Sequence, residues 1–369
     1  MDHIPEFCKS EPFTLGVEVE FQLLDPDTLD LTHLAPEILA ITGSRYGDRV
    51  KKEFIQSMVE VTTGVCRDPQ EVASDMGETA KVLEEAALKS GCLIHAASLH
   101  PYARVEDQVV SDEQRYRDIL DELQIVGRRL ITQGLHVHVG MPDGETAIRV
   151  FDRMRALLPL FLALTASSPF FESEDTGLCS YRSKLFEALP RAGMPDALGS
   201  WSEYSSYVML LSSAGIISSA RDIWWDVRPH PELGTVEIRI CDVPSRYTCI
   251  IAVAAMIQAA ALFLTEHAHD IEPVNRAIIN SNKWQAARYG LEGNFVDPFG
   301  KGRISAPDAV RGLLEKLGPY LQTFGASGQA DVIEDMLKRG CSANRQRNIY
   351  HRTGSLKEII IQERSEFWT

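Results

Sequence analysis

The sequence has no Cys-x-x-Cys pair, no excess of basic charge, no apolar run long enough to cross a bilayer and no low-complexity linker. Each absence removes a class of function. Cys8, Cys66, Cys92, Cys179, Cys241, Cys249 and Cys341 are odd in number and scattered, which argues against a disulfide framework or zinc ribbon and fits a reducing, cytoplasmic compartment. A formal net charge of -15 argues against a nucleic-acid partner, while leaving room for a local basic pocket around a nucleotide. Ile250 to Leu264, the most apolar stretch, is too short for a membrane span and contains Gln258, so it reads as a buried helix. Asp2 and Glu6 stand at the N-terminus without a basic and then apolar run, so no secretory signal is expected. No Gly-x-x-x-x-Gly-Lys-Ser/Thr motif occurs, and any bound phosphates must therefore be held by metals and side chains.

What is present is a chain of 369 residues, 44% hydrophobic and 24% charged, able to bury a large core. Its most informative stretch is Leu15-Gly16-Val17-Glu18-Val19-Glu20-Phe21-Gln22-Leu23. On a strand, Glu18, Glu20 and Gln22 share one face while Val17, Val19, Phe21 and Leu23 cover the other. Neighbouring carboxylates on a half-buried sheet repel unless a cation or a shared proton neutralises them. For Glu-x-Glu alone, a solvated acidic face is the plainer explanation. Later segments repeat the design.

Phe54 to Thr62 alternates so that Glu60 lies on a mostly polar face. Ile131 to Met141 holds Gly134-Leu135-His136-Val137-His138-Val139-Gly140, with Thr132, His136 and His138 on one face; the flanking glycines leave space for close approach of a ligand. After Asp226-Val227-Arg228-Pro229-His230-Pro231, the strand from Gly234 to Asp242 lines Thr235, Glu237, Arg239 and Cys241 opposite Val236, Ile238 and Ile240. An ion pair between Glu237 and Arg239 would be unremarkable by itself. Beside Glu18, Glu20, Glu60 and His136 it reads as part of a site.

Between these strands, helices are expected over Asp68 to Lys89, Asp112 to Leu130 and Glu145 to Ser168, with a further strand from Leu93 to Leu99. Leu31 to Tyr46 reads as mixed loop and short helix. From Glu172 to Trp201 the chain is irregular and polar and carries Arg182 and Lys184, as a lid-like segment or substrate wall over about 172–201 would. Beyond Pro244 helices are expected over Arg246 to His269, Pro273 to Arg288, Pro307 to Phe324 and Gly328 to Arg339. The basic Asn344-Arg345-Gln346-Arg347 is read as either a solvated terminus or a nucleotide contact.

Strands that are apolar behind and polar in front belong most simply to one antiparallel or mixed sheet with helices on its back, an α+β fold. The front then gathers Glu18, Glu20, Glu60, His136, His138, Glu237 and Arg239. Oxygen-rich ligands favour Mg²⁺, or Mn²⁺ where an imidazole joins them, and Mg²⁺ commonly meets the phosphates of a nucleotide triphosphate such as ATP. An arginine there supplies a planar donor for a phosphoryl group in transfer. A metal-dependent hydrolase built on His-x-His, with His95, His100 or His230 as further ligands, is a rival reading. A catalytically quiet nucleotide- or amino-acid-binding protein is another.

The pieces Gly16 to Glu20, Met58 to Thr62, Gly134 to Gly140, Ser180-Tyr181-Arg182-Ser183-Lys184, and Trp225 to His230 through Glu237-Ile238-Arg239 resemble the YbdK-type carboxylate-amine ligases of the type 2 glutamate-cysteine ligase family. The likeness runs from about Leu15 to the C-terminus. It implies a glutamine synthetase-like catalytic domain over 1–369, a curved, mainly antiparallel sheet with helices on its convex face. It also implies ATP-dependent activation of a carboxylate, typically the γ-carboxylate of glutamate, as an acyl phosphate that an amine such as cysteine attacks. Under it, Glu18, Glu20, Glu60, His136 and Glu237 would ligate two or three Mg²⁺ or Mn²⁺ ions. Arg239 and Arg228 would act catalytically on the phosphates, while Arg182, Lys184, His138 and Arg228 would face nucleotide or substrate. In the related bacterial enzymes an asparagine stands where His138 stands here. Expected partners are small-molecule substrates, and a homodimer through exposed strand edges or helices is a common outcome.

Overall fold

Alternation along Leu15–Leu24 produces the central strand, β1, whose Val17, Val19, Phe21 and Leu23 are almost fully buried on one face. The computed structural model describes residues 6–268, 271, 273–300 and 302–369. Val50–Lys52 (β2), Met58–Thr62 (β3), Leu93–His95 (β4), Leu135–Gly140 (β5), Val227–His230 (β6) and Thr235–Ile238 (β7) join β1 in one sheet. Its order is β6-β7-β5-β1-β3-β2, with β4 beside β5 on the same edge of β1, and every pairing is antiparallel.

The apolar face packs against helices Pro69–Lys89, Gly144–Met154 and Tyr247–Glu266, and their side chains merge with it into one hydrophobic core. This is the α+β architecture expected. Helix Pro69–Lys89 begins where Asp68 caps Glu71 N–H and Pro69 enters without needing a donor, as its sequence predicts. Tyr247–Glu266 extends beyond the Ile250 to Leu264 run and, against expectation, is both long and apolar enough to cross a membrane, but it is mostly buried in this core as expected, and its Gln258 donates to the carbonyls of Phe13 and Arg67. Its expected end at His269 lies outside the described residues.

Several boundaries differ from expectation for identifiable reasons. The strand expected from Phe54 begins only at Met58, because Phe54 and Gln56 bond instead to Ser111 and Val109. β4 stops at His95, after which Ser98 accepts from Gln133 N–H and Val243 N–H and ties the chain into a loop. The expected helix Asp112 to Leu130 breaks at Gln124, where φ is 50°, into Gln114–Leu123 and Ile125–Arg128. Glu145 to Ser168 is also two helices; Pro159 lacks the N–H to continue the first and opens the second, Leu158–Thr165. The stretch from 172 to 201 contains a short helix, Arg182–Glu187, and is pinned through Cys179 N–H and Ser180 N–H to Ala287 O. Trp201–Ser213, Ser342–Thr353 and Leu356–Glu366 are further helices.

Candidate active site

Strand register assembles the polar face. β1 against β3 sets Glu20 opposite Glu60, and β1 against β5 sets Glu18 opposite His136 and Gly16 opposite His138. Glu237 lies opposite His138, Arg228 opposite Glu237, and Lys51 opposite Glu60. Side chains from segments more than a hundred residues apart thereby share one surface. Ligand atoms of Glu18, His136 and Glu237 lie within 4.8 Å of one another, as do those of Glu20, Glu60 and His136. His136 belongs to both groups.

The two halves of this surface differ in charge. Glu237 is buried and bound by Arg228, whose Nε and Nη2 donate to Oε2 at 2.8 and 2.7 Å, and by Arg239 on Oε1. Burial alone would raise its pKa, but the two guanidiniums and His138 hold it well below the usual carboxylate range. Glu18 is also held low: hydrogen bonds from His136, with Nδ1 3.2 Å from Oε2, and from His138 outweigh its burial. On the other half the carboxylates lack such partners. Burial, then Glu60, pushes Glu20 up to about 7, and burial, then Glu18 and Glu53, raises Glu60 well above its ordinary value. Lys51, 3.5 Å from Glu60 and largely exposed, offsets little of this. His136 is pushed down to about 4 by burial and by Arg239, so at neutral pH its imidazole is uncharged, the form that binds metals. A donor set of carboxylate oxygens and one neutral imidazole with surplus negative charge is the chemistry that hard divalent cations satisfy.

A cavity of about 430 Å³ opens over the clusters, lined by Glu18, Glu20, Glu60, His136, Arg182, Arg228 and Arg239 among others. Glu53 lines it too. It stands in the turn between β2 and β3 and is pushed up to about 8 by burial and by Glu20. The sequence reading missed it, since a turn residue has no periodicity to expose it. Its only signal was the spacing to Glu60 across the β2–β3 connection. A second cavity of about 540 Å³, walled by Val208, Met209, Ile217 and Ser218, meets the first at Arg221, Arg228 and His230.

Arg182 reaches the first cavity from a buried knot. Asp242 accepts from Ser167 N–H at 2.9 Å, Ser168 Oγ at 2.7 Å and Ser180 Oγ at 2.9 Å, and lies 3.7 Å from Arg182 Nη1. The guanidinium also donates to the carbonyls of Ile240 and Arg239, both at 3.3 Å, so its direction is set by backbone.

A family model described as glutamate-cysteine ligase family 2 matches residues 14–362. The chain belongs to glutamate-cysteine ligase family 2. Among its relatives, a Solibacter usitatus protein is 39% identical over 352 residues, covering 94% of this chain and 91% of that one. A Herpetosiphon aurantiacus protein is 37% identical over 354 residues, covering 95% and 92%. Both carry the provisional name glutamate-cysteine ligase 2. The solved structure of a Francisella tularensis glutamate-cysteine ligase in complex with AMP superposes with a TM-score of 0.72 at 15% identity, covering 97% of this chain and 90% of that one. A bifunctional glutathione synthetase from Pasteurella multocida gives 0.71 at 17% identity, covering 96% of this chain and 52% of its own. These two likenesses establish the fold.

Within this family-2 chain some residues stand apart from the site. Lys184 is not among the residues lining either cavity; its ammonium pairs with Glu187 at 2.8 Å and lies over the Trp284 ring. Gln22 shares the polar face by register but is fully buried, bonded to Gln133 at 2.6 Å and to His95 at 3.0 Å. Arg345 pairs with Glu366 and Arg347 with Asp175, so these arginines form neither a solvated terminus nor part of the cavity. The space above Gly134 and Gly140 is taken by the protein itself. A Cβ on Gly134 would meet Arg182 and, at 2.9 Å, His136 Nε2; one on Gly140 would meet Thr14 and Ser10. Of the extra histidines a hydrolase would need, His95 and His100 are tied to Gln22 and to Leu29 O, and only His230 reaches the cavity. His138 lies below it, its Nδ1 3.0 Å from Thr235 Oγ1 and its ring 5.6 Å from that of His230.

Proposed function

We propose that this chain is an ATP-dependent carboxylate-amine ligase that forms a γ-glutamyl amide through an acyl phosphate, with residues 1–369 acting as one catalytic domain. The observation that carries the reading is the pair of acidic clusters sharing His136, set under the 430 Å³ cavity beside Arg228 and Arg239, with a second cavity joining it at Arg221, Arg228 and His230. Glu18, Glu20, Glu53, Glu60, His136 and Glu237 would hold Mg²⁺ or Mn²⁺. Such ions, when bound, neutralise phosphate and carboxylate oxygens so that these oxyanions can approach one another.

The two cavities divide the substrates. The apolar and serine-lined walls of the larger suit an adenosine, with Arg221, Arg228 and His230 at the passage where a triphosphate would cross. The smaller, with Arg182 fixed beside the clusters, suits the donor and the acceptor. A carboxylate is a poor acyl donor because oxide is a poor leaving group; its oxygen attacks the terminal phosphorus and ADP leaves. Arg228 and Arg239 are placed for the phosphate oxygens, their hold on Glu237 keeping both guanidiniums aimed at one point. The amine then adds to the acyl carbon and phosphate departs. The segment 172–201 forms the wall that carries Arg182, Phe186 and Leu189 and shields the acyl phosphate from water. The seven free cysteines suit a reducing, cytoplasmic setting.

ADP release tests this directly. It should require Mg²⁺, glutamate and an amine together, and hydroxylamine should trap a glutamyl hydroxamate. Metal-dependent hydrolysis without ATP would point to the hydrolase, and unchanged weak turnover in Glu237→Ala to a binding protein.

A further inference from the structure

Resting on the ligase reading and sharpening it, we infer that the acceptor is an amine with an apolar body, an arylalkylamine or branched alkylamine, seated against Phe54, Tyr116, Ile119 and Leu130. These four line the 430 Å³ cavity and belong to a single hydrophobic cluster backed by the buried Ile55, Met58 and Leu99. Phe54 and Tyr116 meet edge to face, with ring centroids 5.4 Å apart at 88°. Tyr116, Ile119 and Leu130 are only partly buried, so the cluster presents apolar surface to the cavity. Contiguous apolar surface of this kind, in a concave site with a few convergent polar groups, is the signature of a ligand wall.

Its position fits an acceptor. Glu53 directly precedes Phe54 and lines the same cavity, so the apolar wall runs up to the acidic clusters beside which the acyl group would be held. Tyr116 and Ile119 stand on helix Gln114–Leu123, which has no fully buried residue and whose Arg115 reaches Asp222 at 3.6 Å, so this helix roofs the cavity. Leu189 and Trp224 line the cavity too. Cysteine fits this surface poorly. Its single methylene and thiol would leave most of the wall wet. In the transfer the amine nitrogen forms the C–N bond, the acyl C–O bond to phosphate breaks, phosphate leaves and one proton passes to solvent.

Each methylene buried is worth about fourfold in binding. With the full-length chain, ATP, Mg²⁺ and glutamate, phenethylamine or isoamylamine should therefore exceed L-cysteine in kcat/KM for ADP release by at least ~tenfold. Ile119→Asp should shrink that preference at least ~tenfold, mainly through KM of the apolar amine. Ile119→Ser, milder on a helix without buried positions, should shift the ratio in the same direction. Cysteine preferred over the apolar amines, or a selectivity ratio unmoved by both variants, overturns the inference. Trapping of glutamyl hydroxamate separates the cases: hydroxamate with cysteine preferred leaves the ligase intact and the acceptor class wrong, while no hydroxamate and no ADP with any amine removes both.

Discussion

Replacing Glu20 by Gln should stabilise the metal-free protein at the same time as it disables it. Glu20 is partly buried beside Glu60, and its carboxyl is pushed from 4.5 up to about 7. Titrating near 7 where a free glutamate titrates at 4.5, ionised Glu20 costs about 3 kcal/mol in the folded state. The folded pKa being the raised one, stability is fully present below the unfolded value and lost as pH rises through about 7. Glutamine has no charge to desolvate and keeps an oxygen for Gly134 N–H, which Glu20 Oε2 now accepts at 2.7 Å. For 369 residues the unfolding entropy is roughly 0.8 kcal/mol/K, so about 3 kcal/mol corresponds to about 4 °C. Calorimetry in EDTA at pH 8 should show Glu20→Gln melting about 4 °C above the wild type, and the two converging at pH 5. Added Mg²⁺ at pH 8 should raise the wild type by mass action, about 2.7 kcal/mol at a hundredfold excess over Kd, and move the variant much less. ADP release by the variant should fall at least ~tenfold. A variant that melts below the wild type in EDTA at both pH values would show that Glu20 is a structural acceptor and would refute the cation site.

Three further outcomes are expected. Arg228→Met strands the buried Glu237 charge, so urea unfolding should show a loss of about 3–5 kcal/mol along with loss of turnover; a loss under ~1 kcal/mol would mean Arg239 alone satisfies that carboxylate. Asp242→Asn loosens the knot that aims Arg182, and steady-state kinetics should show KM for glutamate rising at least ~tenfold with kcat less affected; equal effects on every substrate would place the knot outside donor binding. Lys184→Ala should change kcat/KM by less than about twofold, because its ammonium serves Glu187; a larger drop would return it to the site.

The parts of the site that lie on strands were legible because a strand repeats every two residues. Glu18 and Glu20 announce a common face, and Glu60, His136 and Glu237 each announce the same in their own strand, so the single fact needed was that these strands pair. Glu53 lies in a turn, where no period exists. Lys184 lines neither cavity for the opposite reason: the motif Ser180 to Lys184 runs into helix Arg182–Glu187, and two residues on a helix turn a side chain about 200° away from that of Arg182. The helix breaks at Gln124 and before Leu158 depend on one positive φ and one proline, inside patterns that otherwise read as continuous. The two cavities depend on side chains from helix Gln114–Leu123, helix Trp201–Ser213 and the strands together, a combination only the packed structure reveals.

The cross-strand register carries an evolutionary constraint. Inserting or deleting one residue within β1 would swing Glu18 and Glu20 together into the oil of the core and bring valines to the reaction centre, so drift by indel is closed to this strand. Loops and the outer helices carry no such lock. New acceptors can therefore arise in descendants of this fold by rebuilding the roof while the chemistry beneath stays as inherited.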